Sequence, residues 1–119
     1  MTIDPLSQQL IDATNAGDDR LIVALLEQQA DINVRDPKPF PAASVPSQRT
    51  PLHLAIASAR VTTCRILLDH RADVNAPNQS KSTPLHSACI YGDTAICRLL
   101  LERQADLLAR DEHNKTPLH

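Results

Sequence analysis

The sequence predicts an all-α solenoid in which helix-turn-helix units stack side by side, and three observations carry that prediction. The tetrapeptide Thr-Pro-Leu-His stands at Thr50–His53, Thr83–His86 and Thr116–His119, each copy 33 residues after the one before. A fixed period of this size marks a repeat array. Within the period the apolar residues fall into two short helical patterns separated by a break. The 119 residues also include only two aromatic rings, Phe40 and Tyr91. The apolar content is therefore Leu, Ile, Ala and Val, which suits thin layers of short helices better than a ring-filled globule.

The first unit, residues 1–33, is degenerate but in register. Asp4 and Pro5 serve as N-cap and first-turn proline for a helix over about residues 5–16, and Gly17-Asp18 ends it. Polar Ser7, Gln8, Gln9 and Asp12 interrupt this helix, as expected of a capping repeat that faces water on one side. The run from Leu25 to Asn33 matches Leu67–Asn75, but at a distance of 42, nine more than the period. The excess falls in the insertion at 34–49, where Pro37, Pro39, Pro41 and Pro46 surround Phe40. Those prolines forbid helix and favour extended or turn backbone. No P-x-x-P spacing occurs there, so the insertion does not read as an SH3-type ligand.

The second unit spans 50–82. Its first helix and ending occupy Thr50–Ala59, and its second helix Val61–His70 carries Cys64, Ile66, Leu67 and Leu68. The third unit spans 83–115. Thr83 is a good N-cap and Pro84 a good first-turn residue, and the helix they open breaks at Gly92-Asp93. A second helix covers Thr94–Arg103, where the i,i+4 pairs Ile96/Leu100 and Cys97/Leu101 define the expected buried face. The polar stretch from Leu107 to Lys115 leads into 116–119, the opening of a further unit. The expectation is a fragment of a longer array, with an uncapped C-terminal face inclined to weak self-association.

Charge and cysteine content narrow the function classes. Net charge is −2 with the two signs interspersed, which gives no electrostatic footprint for nucleic acid. No apolar run approaches the roughly 18–20 residues that span a bilayer, and the N-terminus lacks the basic and apolar regions of a signal peptide. A soluble intracellular protein is expected, cytoplasmic with a nuclear location open, and without membrane contact by this segment. Cys64 and Cys97 occupy equivalent places in successive units, about 8–10 Å apart if helices stack normally, too far for a disulfide. Cys89 lies in a different helix. Three reduced, mostly buried thiols follow, and no C-x-x-C or close Cys/His set suggests a metal or other cofactor. His53, His86 and His119 are likewise about one unit apart, too far to share an ion.

These residues resemble the ankyrin-repeat family over essentially the whole chain. The resemblance implies stacked helix pairs whose connecting segments project as β-hairpin-like fingers, and a non-catalytic scaffold that binds a protein partner. It also implies that the motif histidines hydrogen-bond within and between repeats. Departures are visible: Gln29, Arg71 and Gln104 stand where the family carries glycine after the second helix. Gln48, Lys81 and Asn114 stand at the finger turns. A left-handed conformation at a non-glycine residue costs about 1 kcal/mol, so the array is expected to be less stable than an idealised one. Asn33 and Asn75 resemble the family's finger-base asparagine, which asparaginyl hydroxylases accept; Leu108 replaces it in the last copy.

Carried over by register, the partner-binding positions are Gln79, Ser80 and Ser82 in one finger and Glu112, His113 and Lys115 in the next. On the first helices they are Ala57, Ser58, Ile90 and Tyr91. Tyr91 either anchors a partner or covers the adjacent helix. Phe40, within its prolines, either anchors a partner or pins its own loop. A Cys89–His86 pair at i,i+3 is the natural catalytic alternative, but no acid, oxyanion loop or phosphate-binding loop accompanies it. Two other readings make the segment part of something larger. One is the targeting or substrate-recognition module of an enzyme or ubiquitin-ligase adaptor whose active domain lies beyond residue 119. The other is the cytosolic repeats of a channel or transporter.

Overall fold

The computed structural model describes residues 4–36 and 48–118; Phe40, the insertion's prolines and His119 lie outside them. Among the described residues there are six helices: α1 Pro5–Ala16, α2 Asp19–Glu27, α3 Pro51–Ala57, α4 Val61–Asp69, α5 Pro84–Tyr91 and α6 Thr94–Glu102. They pair as α1/α2, α3/α4 and α5/α6, and the pairs stack so that α1, α3 and α5 form one row and α2, α4 and α6 the other. One apolar cluster runs through the stack, from Leu10, Ile22 and Leu25 through Leu52, Ile56 and Leu67 to Leu85, Ile96 and Leu100. Short helices of this length are marginal alone, so burial of their apolar stripes between neighbours supplies most of their stability.

The helix starts follow from the motif. Thr50 and Thr83 each form a capping box with the histidine three residues on, and proline fills the first turn, where a missing N–H costs nothing. Asp4, Asp18 and Asp93 cap α1, α2 and α6 through their carboxylates. Arg60, at the matching place before α4, makes no side-chain cap bond.

All six helices end in the same left-handed turn. The residue past the helix donates back three positions and its successor five, as in Ala59 N–H to Ile56 O with Arg60 N–H to Ala55 O, and Arg71 N–H to Leu68 O with Ala72 N–H to Leu67 O. This is the Schellman pattern, which demands φ > 0 at one residue. Glycine meets the demand at Gly17 and Gly92, but Gln29, Arg71 and Gln104 adopt φ near 70° without it. Ala59, at φ 55°, does the same; it stands 33 residues before Gly92 and 42 after Gly17. At Gly17 a side chain would also strike the Arg60 guanidinium. The left-handed state costs an L-residue about 1–2 kcal/mol, and glycine's freer unfolded state offsets up to about 1 kcal/mol of any gain. Ala59→Gly, Arg71→Gly and Gln104→Gly are therefore each expected to raise stability by about 0.5–1 kcal/mol. The check is the urea midpoint, and midpoints that do not move would remove the strain from the account.

Three details depart from the sequence-based expectation. Ser7 does not face water: it is buried, donates to Asp4 and accepts the Asp31 N–H at 3.2 Å. In α6 the buried stripe is Ile96, Leu99 and Leu100, whereas Leu101 is 44% exposed and Cys97 half-buried. The reason is angular. Residues 96, 99 and 100 lie on one face at 100° per residue, and position 101 turns away from it. The equivalent Cys64 and Leu68 of α4 are buried, because α4 packs between α2 and α6 while α6 packs chiefly on α4 and α5.

Polar ties repeat along the stack. The Asn33 side chain accepts the Asp73 N–H at 2.9 Å and Asn75 accepts the Asp106 N–H at 2.8 Å. Each asparagine is thereby committed to holding the next unit. Thr63 donates to Asp19 at 2.6 Å, and Arg103 pairs with Asp69 at 2.6 Å.

Candidate functional site

The segments joining one helix pair to the next project beyond the α1/α3/α5 row. Among the described residues they form no strand: the first is closed by a single antiparallel bridge, Asp36 to Arg49. The second is closed by Asn78 N–H to Ser82 O at 2.9 Å, and the third by Asp111 N–H to Lys115 O at 3.0 Å. Each of the last two fingers is shaped from within. The Asn78 side-chain oxygen accepts the Ser80 and Ser82 N–H groups, and one Asp111 oxygen accepts those of His113 and Lys115. Left-handed Lys81 and Asn114 complete the turns. The Lys115 N–H, first among its causes, and then the His113 N–H hold the Asp111 carboxyl below the usual carboxylate value.

The motif histidines tie helix to finger. His53 and His86 are buried. Thr50 N–H reaches His53 Nδ1 at 3.3 Å and Thr83 N–H reaches His86 Nδ1 at 3.1 Å. Because an amide can only donate, Nδ1 is the bare nitrogen and the proton sits on Nε2. His53 Nε2–H then donates to Ser82 O at 3.1 Å and His86 Nε2–H to Lys115 O at 2.8 Å, each 29 residues on. Burial, the largest cause, with the nearby Arg35 and Arg49 charges, lowers the His53 pKa to about 4 against the opposing pull of the Ser82 carbonyl. The fingers are also tied to one another. The Arg35 guanidinium bridges the Gln48 and Pro77 carbonyls, and Glu112 N–H donates to Ser80 O at 2.9 Å.

Between this rigid row of fingers and α5 lies a depression of ≈ 300 Å³, lined by His86, Ile90, Asp111, His113, Lys115, Thr116 and Pro117. It brings together three residues singled out from the sequence: Ile90, His113 and Lys115. Ile90 is 77% exposed and Tyr91 beside it 55%, because α5 buries Leu85, His86 and Ala88 on its other side. Tyr91 is thus more than half exposed, and it does not line the depression. Ala57 and Ser58 are exposed at the end of α3, and Gln79 is exposed on the second finger. Ser80 and Ser82 are half-buried, and their carbonyls are engaged by Glu112 and His53, which makes them finger supports as much as contact residues. Glu112 is exposed and lies 3.5 Å from the His113 ring.

Asp111 was missed by the sequence reading, though its signal was present: it aligns with Asn78, and both hold two finger amides.

Charge on the joining segments is mixed. Among the described residues they carry Arg35, Arg49, Arg71, Lys81, Arg103, Arg110 and Lys115 against Asp31, Asp36, Asp73, Asp106, Asp111 and Glu112. Asp36 is buried, while Asp111 keeps its negative charge as it holds its own turn. The remaining described residues carry 4 Lys and Arg against 8 Asp and Glu.

His86 uses both ring nitrogens on Thr83 and Lys115, and the Cys89 thiol faces Cys97 rather than His86. No group of three or more metal-ligating side chains converges among the described residues, and no helix among them is long and apolar enough to cross a membrane.

A family model describing ankyrin repeats in three copies matches residues 10–111. No curated protein matches the chain significantly.

Proposed function

Since this chain belongs to the ankyrin-repeat family, whose members generally mediate protein–protein interaction, we propose that it binds a protein segment in the depression between its fingers and α5. The observation that carries the proposal is the convergence of exposed Ile90 with His113 and Lys115 on a rigid finger row. Exposed Ile90 beside the Lys115 ammonium suits a partner that offers an apolar residue next to Asp or Glu. The cross-ties between fingers hold the contact atoms in place before binding, which reduces the ordering cost. Ile90 acts as the anchor within the depression, and Tyr91 beside it extends the apolar contact outside; Lys115 and His113 set orientation. The exposed ends Ala57 and Ser58 and the tip residue Gln79 extend the contact along the row. No catalytic step is assigned to the chain.

Selection of a random peptide library on the immobilised chain tests this reading. Recovered peptides are expected to share an apolar residue beside acidic ones. The double variant Ile90→Ala/Lys115→Glu should bind them about 30-fold or more weakly, the loss expected when an interface anchor is truncated. Both positions are exposed, so the variant should keep its helical content. Retention of full affinity by that variant would place binding elsewhere.

A further inference from the structure

Cys89 on α5 and Cys97 on α6 face each other across the Gly92-Asp93 joint, with Sγ atoms 3.8 Å apart. The repeat pattern did not foresee the contact, because it compares equivalent positions in successive units. These two cysteines instead stand at different positions of one unit. Both are half-buried, and they line an open depression of ≈ 380 Å³ together with Gly92, Thr94, Pro117 and Leu118. Cys64 provides the contrast. It is fully buried in the stack, and burial pushes its thiol up to about 12.

We propose that Cys89 and Cys97 are a dithiol–disulfide pair, oxidised by small hydroperoxides that enter this depression. Closing the bond needs the sulfurs to approach from 3.8 Å to about 2 Å. Cys89 acts as the attacking thiol and Cys97 as the resolving one, its own thiol pushed up to about 11 by burial first and then by the neighbouring Cys89. The Cys89 thiolate attacks one oxygen of the hydroperoxide and the O–O bond breaks. An alcohol leaves (water, from hydrogen peroxide), and Cys89 becomes a sulfenic acid. Cys97 then loses its proton and attacks the Cys89 sulfur. The S–O bond breaks, the S–S bond forms, and hydroxide leaves with that proton as water. Two thiols have given two electrons to one hydroperoxide, and a dithiol reductant reverses the change by exchange.

The experiment treats the reduced chain with equimolar hydrogen peroxide at neutral pH, blocks remaining thiols with an alkylating agent under denaturing conditions, and maps the products by peptide mass. The expected product is a Cys89–Cys97 linked peptide, lighter by two hydrogens, with Cys64 recovered alkylated and the link lost on treatment with dithiothreitol. In Cys97→Ser the sulfenic acid at Cys89 has no partner, so Cys89 should proceed to sulfinic acid at a dose that leaves the wild type as disulfide. The proposal is overturned if wild-type Cys89 and Cys97 over-oxidise independently of each other. It is also overturned if the disulfides recovered join separate chains, or if Cys97→Ser leaves the fate of Cys89 unchanged.

Discussion

Replacing His53 by alanine is expected to lower the unfolding free energy by about 3 kcal/mol at pH 7, and most of that loss should disappear by pH 4. The side chain is 2% exposed and connects the Thr50 amide and hydroxyl on one side to the Ser82 carbonyl on the other. Alanine leaves those groups buried without their partner, a mechanism that reaches the upper range of single-residue effects. The pH dependence follows from the lowered pKa. In the folded chain His53 takes up its proton only near pH 4, whereas unfolded histidine does so near 6.5. Between those values the unfolded state binds more protons, so stability rises with pH. The contribution is fully present above about 6.5 and is lost as pH falls toward 4. A displacement of this size corresponds to about 3 kcal/mol. Urea titrations of wild type and His53→Ala at pH 7, 5.5 and 4 provide the check. A gap that stays constant across that range would mean that His53 is not held neutral by the fold.

Leu100→Ala should cost about 3 kcal/mol, whereas Leu101→Ala, one residue further on, should cost less than about 1 kcal/mol. Leu100 is fully buried in the apolar cluster that joins the helix pairs, and Leu101 is 44% exposed. Removing the first leaves a cavity among rigid neighbours, and removing the second mainly uncovers surface already in water. A stack of this size holds a net stability of only about 5–15 kcal/mol, so the Leu100 variant should unfold at a clearly lower urea concentration. Equal effects at the two positions would show that the register of α6 on α4 and α5 is wrong.

Helix positions were readable because the signals that start and stop them are local. Proline in a first turn, threonine before it and a 33-residue period leave little freedom, and the predicted spans agree with the observed helices to within a few residues. The left-handed turns at Gln29, Arg71 and Gln104, and those at Gln48, Lys81 and Asn114, were likewise expected, because the resemblance to the family marks the places where glycine usually stands. What the period could not supply were features that depend on three-dimensional neighbours. Ser7 looks polar in the sequence and is buried by its bond to the Asp31 amide. Leu101 looks like a core leucine and lies beyond the stripe that its neighbours cover. Ala59, by contrast, was legible and overlooked: it stands one period before Gly92 and closes the same turn. At the candidate site, the resemblance marked Ile90 on a helix and His113 and Lys115 in a finger as contact positions. Their enclosure with Asp111 needed the finger's folded shape, and the Cys89–Cys97 contact needed the antiparallel packing of α5 on α6.

The central claim is that the shared motif builds the scaffold while binding falls to residues between the fingers and α5. Chemical-shift mapping on the isotopically labelled chain tests it most directly, with a peptide recovered from the library titrated in. The account predicts that the largest perturbations fall on Ile90, Tyr91, His113 and Lys115, with smaller ones along Gln79, Ala57 and Ser58. Perturbations concentrated on the outer faces of α2, α4 and α6, with the amides of Ile90, His113 and Lys115 unmoved, would contradict it.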